Sequence, residues 1–271
     1  MAISGPSSKA FVRMYLRRTK GLLELADGFT GSLSPDAVHD LRVSARRAQV
    51  LCRLLPKVCR RSEEQERFAG VLSSLLKATS RIRDLDTLTL TLERARGSLP
   101  AELFHVLNRE RENSLRGAVR AIEAVSMSSP PGVESSQIDA KKLAVRFRKR
   151  ADRRAKVIGK LVGKVLADES RVADLHALRK ESKKLRYLLE LSEGRPPELS
   201  VLEAWQESLG AIHDLDVAIN YLRRSRVRLP KQDIIAKLER SRHRGYKGFT
   251  RRYEEDTAAA RLPAILLTAP T

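Results

Sequence analysis

The sequence predicts an all-α protein built as two four-helix bundles related by an internal duplication with pseudo-two-fold symmetry. Three observations predict it. Leu, Ala, Arg, Lys and Glu dominate, and strand-like alternation is rare. Apolar residues recur at helical spacing between breaks marked by Gly, Pro and Ser. A twelve-residue stretch occurs twice, at 39–50 and at 176–187, with histidine first, leucine third and cations at matching places.

In chain order, the first helix is expected over 8–26. Gly28, Gly31 and Pro35 mark the loop that follows, and Ser34 with Pro35 reads as an N-cap and first turn. The second helix carries the first histidine stretch and ends near Pro56. A third runs from 62 to 97, with a break expected where Arg83-Asp84-Leu85-Asp86 begins a new turn. The fourth starts after Pro100 and ends near Val125. Residues 126–136 are rich in Ser, Pro and Gly and read as a flexible connector. The series then repeats: a basic helix over 139–166, the second histidine helix, a helix over 198–226, and a last one after Pro230 to about Thr257. The expected organisation is one domain over 8–257, with halves at 8–125 and 139–257, a linker at 126–138 and a tail at 258–271.

The duplication extends beyond the histidine helices. Arg13, Arg17 and Lys20 share the spacing of Arg146, Arg150 and Arg153. Arg83-Asp84-Leu85-Asp86 matches His213-Asp214-Leu215-Asp216, Leu99-Pro100 matches Leu229-Pro230, and Arg109 matches Arg240 with a one-residue offset.

Each histidine stretch is amphipathic. Residues advance by about 100° along a helix, so His39, Arg42, Arg46 and Gln49 share a face, as do His176, Arg179, Lys183 and Arg186. Arg47 and Lys184 follow the stripes closely. Leu41, Ala45, Ala48 and Leu51 lie opposite, as do Leu178, Leu185 and Leu188. Like charges three or four residues apart destabilise a helix by roughly 0.2–0.5 kcal/mol per pair. A solvated face would mix Glu with Lys. The same cost taken twice at the same places points to a site for an anion with several charges, and the duplication predicts that both histidine helices face one basic surface.

Composition agrees. Lys and Arg number 53 against 33 Asp and Glu, a net charge of +20, and hydrophobic residues make up 42%. This is a globular polycation, suited to nucleic acid, anionic membrane or a phosphate polymer. Aromatics are 4%, and Trp205 and Phe249 are not interleaved with the basic stripes, so base stacking is disfavoured. Cys52 and Cys59 are the only cysteines. Seven residues of helix would hold them roughly 10 Å apart, beyond disulfide reach. With no apolar signal core and no long apolar run, a cytoplasmic protein with reduced thiols is expected.

On these stretches the chain resembles the CHAD family of α-helical domains named for their histidines. The residues that carry the resemblance are His39-Asp40-Leu41-Arg42-Val43 with Arg46-Arg47, and His176-Ala177-Leu178-Arg179 with Lys183-Lys184-Leu185-Arg186-Tyr187. Leu209-Gly210-Ala211-Ile212-His213-Asp214-Leu215-Asp216 supports them. The resemblance covers about 8–257. It implies two four-helix bundles and binding of inorganic polyphosphate, with polyphosphate granules as a place of association. Gln49 stands where the second copy has Arg186, so the first half-site is expected to be one charge weaker. The second catalytic domain that often accompanies the family is not seen, so a binding module without enzymatic activity, cofactor or metal is expected.

The chemistry suits such a ligand. Polyphosphate offers only oxygen acceptors, which Arg takes with a planar fork and Lys with a point charge. His39 and His176 donate through one ring nitrogen when neutral and through both when protonated. Asp84, Asp86, Asp214 and Asp216 are expected to pair with arginines or cap helices, with metal ligation as the other reading. His105 and His243 are read as surface or packing residues, and Tyr187 as core-edge. A structural scaffold whose charge only maintains solubility is disfavoured by the duplicated unmixed stripes, and two further rival functions stand beside this. One is a metal-dependent phosphohydrolase using His176, His213, Asp214 and a later Asp. The other is a nucleic-acid backbone binder, which the charge permits although no recognition motif is visible.

Overall fold

The computed structural model describes residues 5–29, 33–96, 99–225, 227 and 231–258. The Leu229-Pro230 match and the tail from 259 onward lie outside the described residues. Helices account for nearly all of the described chain, and no strand occurs among the described residues. In order they are α1 (Ser8–Asp27), α2 (Pro35–Leu54), α3 (Lys57–Arg60), α4 (Glu63–Ala78), α5 (Ser80–Arg96), α6 (Ala101–Ser126), α7 (Ala140–Ala167), α8 (Val172–Leu189), α9 (Pro197–Arg224) and α10 (Lys231–Ala258). The fold is all-α.

The chain divides into two compact units. The N-terminal unit takes in 5–89 and 101–147. The C-terminal unit takes in 90–100 and 148–258. The division therefore falls inside α5 and inside α7.

Local chemistry accounts for the element ends. Ser34 accepts a hydrogen bond from the Ala37 amide at 3.1 Å, with Pro35 opening α2, as its sequence suggested. Pro56 stops α2, and the single turn of α3 follows, which no apolar period announced. The break expected near Arg83 comes earlier, at Thr79. There the hydroxyl bonds back to the Leu75 carbonyl at 2.7 Å, a side-chain bond that competes with the helix and bends it. After α8 the chain turns through Gly194, whose φ of 79° is open to glycine at little cost.

Between α6 and α7 the stretch read as a connector carries a 3-10 turn, Ser135–Gln137, closed by reciprocal Glu134–Gln137 bonds. It also buries Val133 and Ile138, and Ser8 donates to the Ile138 carbonyl at 2.7 Å.

In the N-terminal unit the core is built from Phe11, Tyr15, Leu22, Leu41, Ala45, Ala48, Leu51, Phe68, Leu72 and Ile122, all essentially inaccessible. In the C-terminal unit Trp205 sits edge-on to Phe249 at 5.6 Å between ring centres. Both rings are fully buried, so neither is offered for base stacking. Truncating an aromatic this deep costs about 3–5 kcal/mol. The apolar faces of α2 and α8 pack inward as their periodicity predicts, with Leu178, Leu185 and Leu188 also buried.

Candidate functional site

In the N-terminal unit, burying Leu41 and Ala45 turns the opposite face of α2 outward. His39 and Arg46 are exposed, and Arg42 and Arg47 are half-buried. Arg42 reaches the end of α4, where it donates to the Leu76 carbonyl at 2.6 Å and to Thr79 Oγ1 at 2.8 Å. It thereby satisfies a carbonyl that the helix end leaves open. Gln49 is buried and turned to its neighbours. It accepts from Arg46 at 3.2 Å and lies 3.5 Å from Ser73 Oγ. Arg13, Arg17, Lys20 and Arg109 are exposed and Arg83 half-buried. Lys20 lies 3.5 Å from Glu24. Arg146 donates to the Leu54 carbonyl at 3.1 Å, and burial, reinforced by Arg60, lowers its affinity for its proton.

In the C-terminal unit two histidines from different helices meet. His176 Nδ1 of α8 and His213 Nδ1 of α9 are 2.9 Å apart, with ring centres at 4.3 Å. At that distance one ring donates and the other accepts, so the neutral pair shares a single proton between the δ nitrogens. Burial, then Arg179, His176 and Lys180, push His213 down to about 4. Burial, then Lys180 and Arg179, also lower His176, against a pull upward from Asp216. The imidazoles are thus held neutral by burial and by the neighbouring cations.

The other predicted residues of this unit differ in how far they reach water. Arg153 and Arg240 are exposed, and Arg150, Arg179 and Lys183 are half-buried. Arg179 packs 3.9 Å from where a side chain on Gly210 would begin. Arg186 is engaged: it donates to Glu190 at 2.5 Å and to Gln206 at 2.7 Å, and stacks 4.5 Å from the Tyr187 ring. Its extra charge relative to Gln49 is therefore matched by Glu190. Lys184 pairs with Glu181 at 2.6 Å, and so does Arg154 at 2.5 Å. Burial opposes ionisation of Glu181, yet the hydrogen bonds from Lys184 and Arg154 hold it below the usual carboxylate range. Tyr187 is buried. His105 and His243 are exposed, with His243 2.7 Å from Glu169.

Sequence reading passed over Lys180, Glu181 and a pair of arginines. Lys180 is exposed and close enough to depress both histidines. Its counterpart in the first stretch is Val43, so a search for matching cations discards it. The arginines are Arg111 and Arg242. Arg111 Nε donates to Asp86 Oδ1 at 2.7 Å, and Arg242 Nε donates to Asp216 Oδ1 at 2.6 Å. Arg111 also donates to the Leu33 carbonyl ahead of α2, and Arg242 to Glu169 ahead of α8. The same clamp, atom for atom at the carboxylate, recurs in both units and anchors the segment that leads into each histidine helix.

Among the described residues no group of three or more His, Cys, Asp or Glu is placed to hold a metal ion. No helix there is long and apolar enough to cross a membrane. Both cysteines are free, and burial pushes Cys52 up to about 11.

The arrangement defines an all-α protein of two units, each presenting a histidine-bearing helix with a basic face. The sequence profile of the CHAD domain matches residues 15–223, and the chain belongs to the CHAD family. Its fold is similar to that of the CHAD domain from the plant Ricinus communis, with a TM-score of 0.57 at 18% identity over 99% of this chain and 92% of that one. It is also similar to PptA from Streptomyces chartreusis, with a TM-score of 0.55 at 16% identity over 92% of this chain and 99% of the other. No match was found among curated proteins.

Proposed function

We propose that this protein binds inorganic polyphosphate through the basic faces that carry its two histidine helices, as a cytoplasmic, non-catalytic binding module associated with polyphosphate granules. The observation that supports this best is the C-terminal cluster, where His176, His213, Arg179, Lys180 and Lys183 gather on the faces of α8 and α9. Family membership supports the ligand class, because the resemblance to CHAD domains implies polyphosphate. A phosphate chain presents closely spaced charges and no base or sugar, which suits cations unaccompanied by exposed aromatic rings.

Binding without hydrolysis is the reading the side chains favour. The δ nitrogens of His176 and His213 are spent on each other, and one oxygen of Asp216 is taken by Arg242. The ε nitrogens remain, but with its proton affinity pushed down to about 4 His213 is a weak base at neutral pH. Incubation of long-chain polyphosphate with the protein and divalent cations should release no orthophosphate above the blank. Release at enzymatic rates that disappears on His213→Gln would overturn this part of the reading.

Titration tests the binding itself. Long-chain polyphosphate should bind tightly and orthophosphate weakly, with an affinity that drops steeply as salt rises through counterion release. Equal affinity for the two, or the same affinity at two ionic strengths, would sink the proposal. Competition with duplex DNA separates it from a nucleic-acid function, since DNA should displace the polymer poorly.

A further inference from the structure

A surface cleft of about 500 Å³ in the N-terminal unit is lined by Ala78, Arg81, Asn113, Ser114, Arg116, Gly117 and Arg120. None of the lining residues is a carboxylate. Arg81 comes from the start of α5, and the rest of the polar wall comes from α6. Glu110 pairs with Arg81 and fixes it on the wall. Arg116 and Arg120 are exposed, one helical turn apart, with no ion pair or hydrogen bond among the described residues. Two cations so placed repel each other. Asn113 and Ser114 add neutral donors, and Gly117 leaves open space where a side chain would stand.

The duplicated half carries different residues at the level of Arg81 and Ser114. With the offsets that match Asp86 to Asp216 and Arg111 to Arg242, Ile82 corresponds to Ile212, Arg81 to Ala211 and Ser114 to Gly245. A Cβ on Gly245 would stand 3.2 Å from Ile212 Cγ1, so α9 and α10 are packed tightly at this level. In the N-terminal unit the same level carries Ser114 and Arg81, and both line the cleft. We propose that this cleft is a discrete site for a compact oligophosphate, an anion of three or more charges held by Arg81, Arg116 and Arg120. Guanidinium groups grip paired phosphate oxygens, and the amide of Asn113 supplies a further donor. None of these residues lies on the histidine helices, and the site stands apart from the function proposed for them.

Tripolyphosphate is the probe, titrated by calorimetry into the full chain at moderate salt. Wild type should show a saturable site, with orthophosphate binding at least about tenfold more weakly, because one phosphate cannot reach three arginines. The variant Arg116→Glu/Arg120→Glu should lose tenfold or more in affinity. A charge-matched control, Arg61→Glu/Arg67→Glu, changes exposed residues of the same unit outside the cleft and should lose less than threefold. Arg116→Gln/Arg120→Gln removes the charge without reversing it and should show the same order of loss if the reversal variant unfolds. Equal losses in the cleft and control variants would mean that the net field alone attracts the anion, and would overturn the proposal. So would unchanged affinity in the cleft variants. Long-chain binding measured on histidine-helix variants is a separate readout, so failure here and failure of the polyphosphate reading are told apart.

Discussion

The His176–His213 contact gives the C-terminal unit a property the N-terminal unit lacks. The position equivalent to His213 is Arg83. His213 is held neutral, with its proton affinity pushed down to about 4 by burial, Arg179, His176 and Lys180. In the free protein this depression lowers stability in acid. Above about pH 6.5 the histidine is neutral whether folded or unfolded, and its titration changes nothing. Between 6.5 and 4 the unfolded chain takes up a proton that the folded chain refuses, so stability falls across that window. A bound polyanion reverses the local field and raises the proton affinity. Polyphosphate binding should therefore be accompanied by proton uptake near pH 6, and wild type should gain roughly 4–10-fold in affinity between pH 7.5 and 5.5. His213→Gln should bind like wild type at pH 7.5 and lose most of the gain. Calorimetry in two buffers of different ionisation enthalpy measures the uptake, and an unchanged uptake in the variant would place the proton elsewhere.

Between elements, the duplicated arginine clamp carries the stability of the histidine helices. Arg242 ties α10 to Asp216 on α9 and to Glu169 ahead of α8, and Arg111 ties α6 to Asp86 on α5 and to Leu33 ahead of α2. The partners are largely out of water, with side-chain exposures of 11% and 10% for Arg242 and Asp216. Removing one member of such a pair strands the other and costs about 3–5 kcal/mol. Arg242→Met and Arg111→Met should each lower the urea midpoint with little change in slope, and a midpoint within error of wild type would show that the clamp does not hold the fold. Their place in the sequence shows what could be read there and what could not. The aspartates were visible because Arg83-Asp84-Leu85-Asp86 repeats as His213-Asp214-Leu215-Asp216. Arg109 and Arg240 were visible as a repeat too, but they are exposed. The clamp residues lie two places further on, about 200° round the helix and on the inner side. Repetition identifies duplicated helices; it does not set their rotation when cations occupy both faces. The all-α class and the inward faces of α2 and α8 were legible because apolar periodicity is local. The His176–His213 contact joins residues distant in sequence and the break at Thr79 depends on one side chain, so no local pattern encodes them, whereas Arg186 and Glu190 form an i,i+4 pair that was open to reading.

For the molecule as a whole, the net charge of +20 sets the sign of the long-range field, while its reach is set by salt and the individual cations differ in what they hold. Arg42 and Arg46 illustrate the difference. Both belong to the first histidine stretch, but Arg42 closes the end of α4 through Leu76 and Thr79, whereas Arg46 is exposed. Arg42→Glu should therefore destabilise the fold, by about 2–3 kcal/mol for the loss of charge-assisted hydrogen bonds to part-buried acceptors. Arg46→Glu should leave helix content and thermal midpoint near wild type. In the C-terminal unit Lys180→Glu/Lys183→Glu acts beside the histidine pair while sparing Arg186 and Glu190, which hold each other. If these surfaces touch the polymer, Arg46→Glu and the lysine pair should each weaken long-chain binding. Each should also flatten the dependence of log affinity on log salt, by roughly 0.7 for every phosphate that the variant no longer neutralises. The flattening distinguishes direct neutralisation from field. A charge change remote from the ligand lowers affinity without removing a released counterion. Titrations at three salt concentrations, beside circular dichroism to verify folding, measure both quantities. Folded variants with weaker binding and an unchanged slope would show that these cations only contribute to the field, and that the polymer is held on another face.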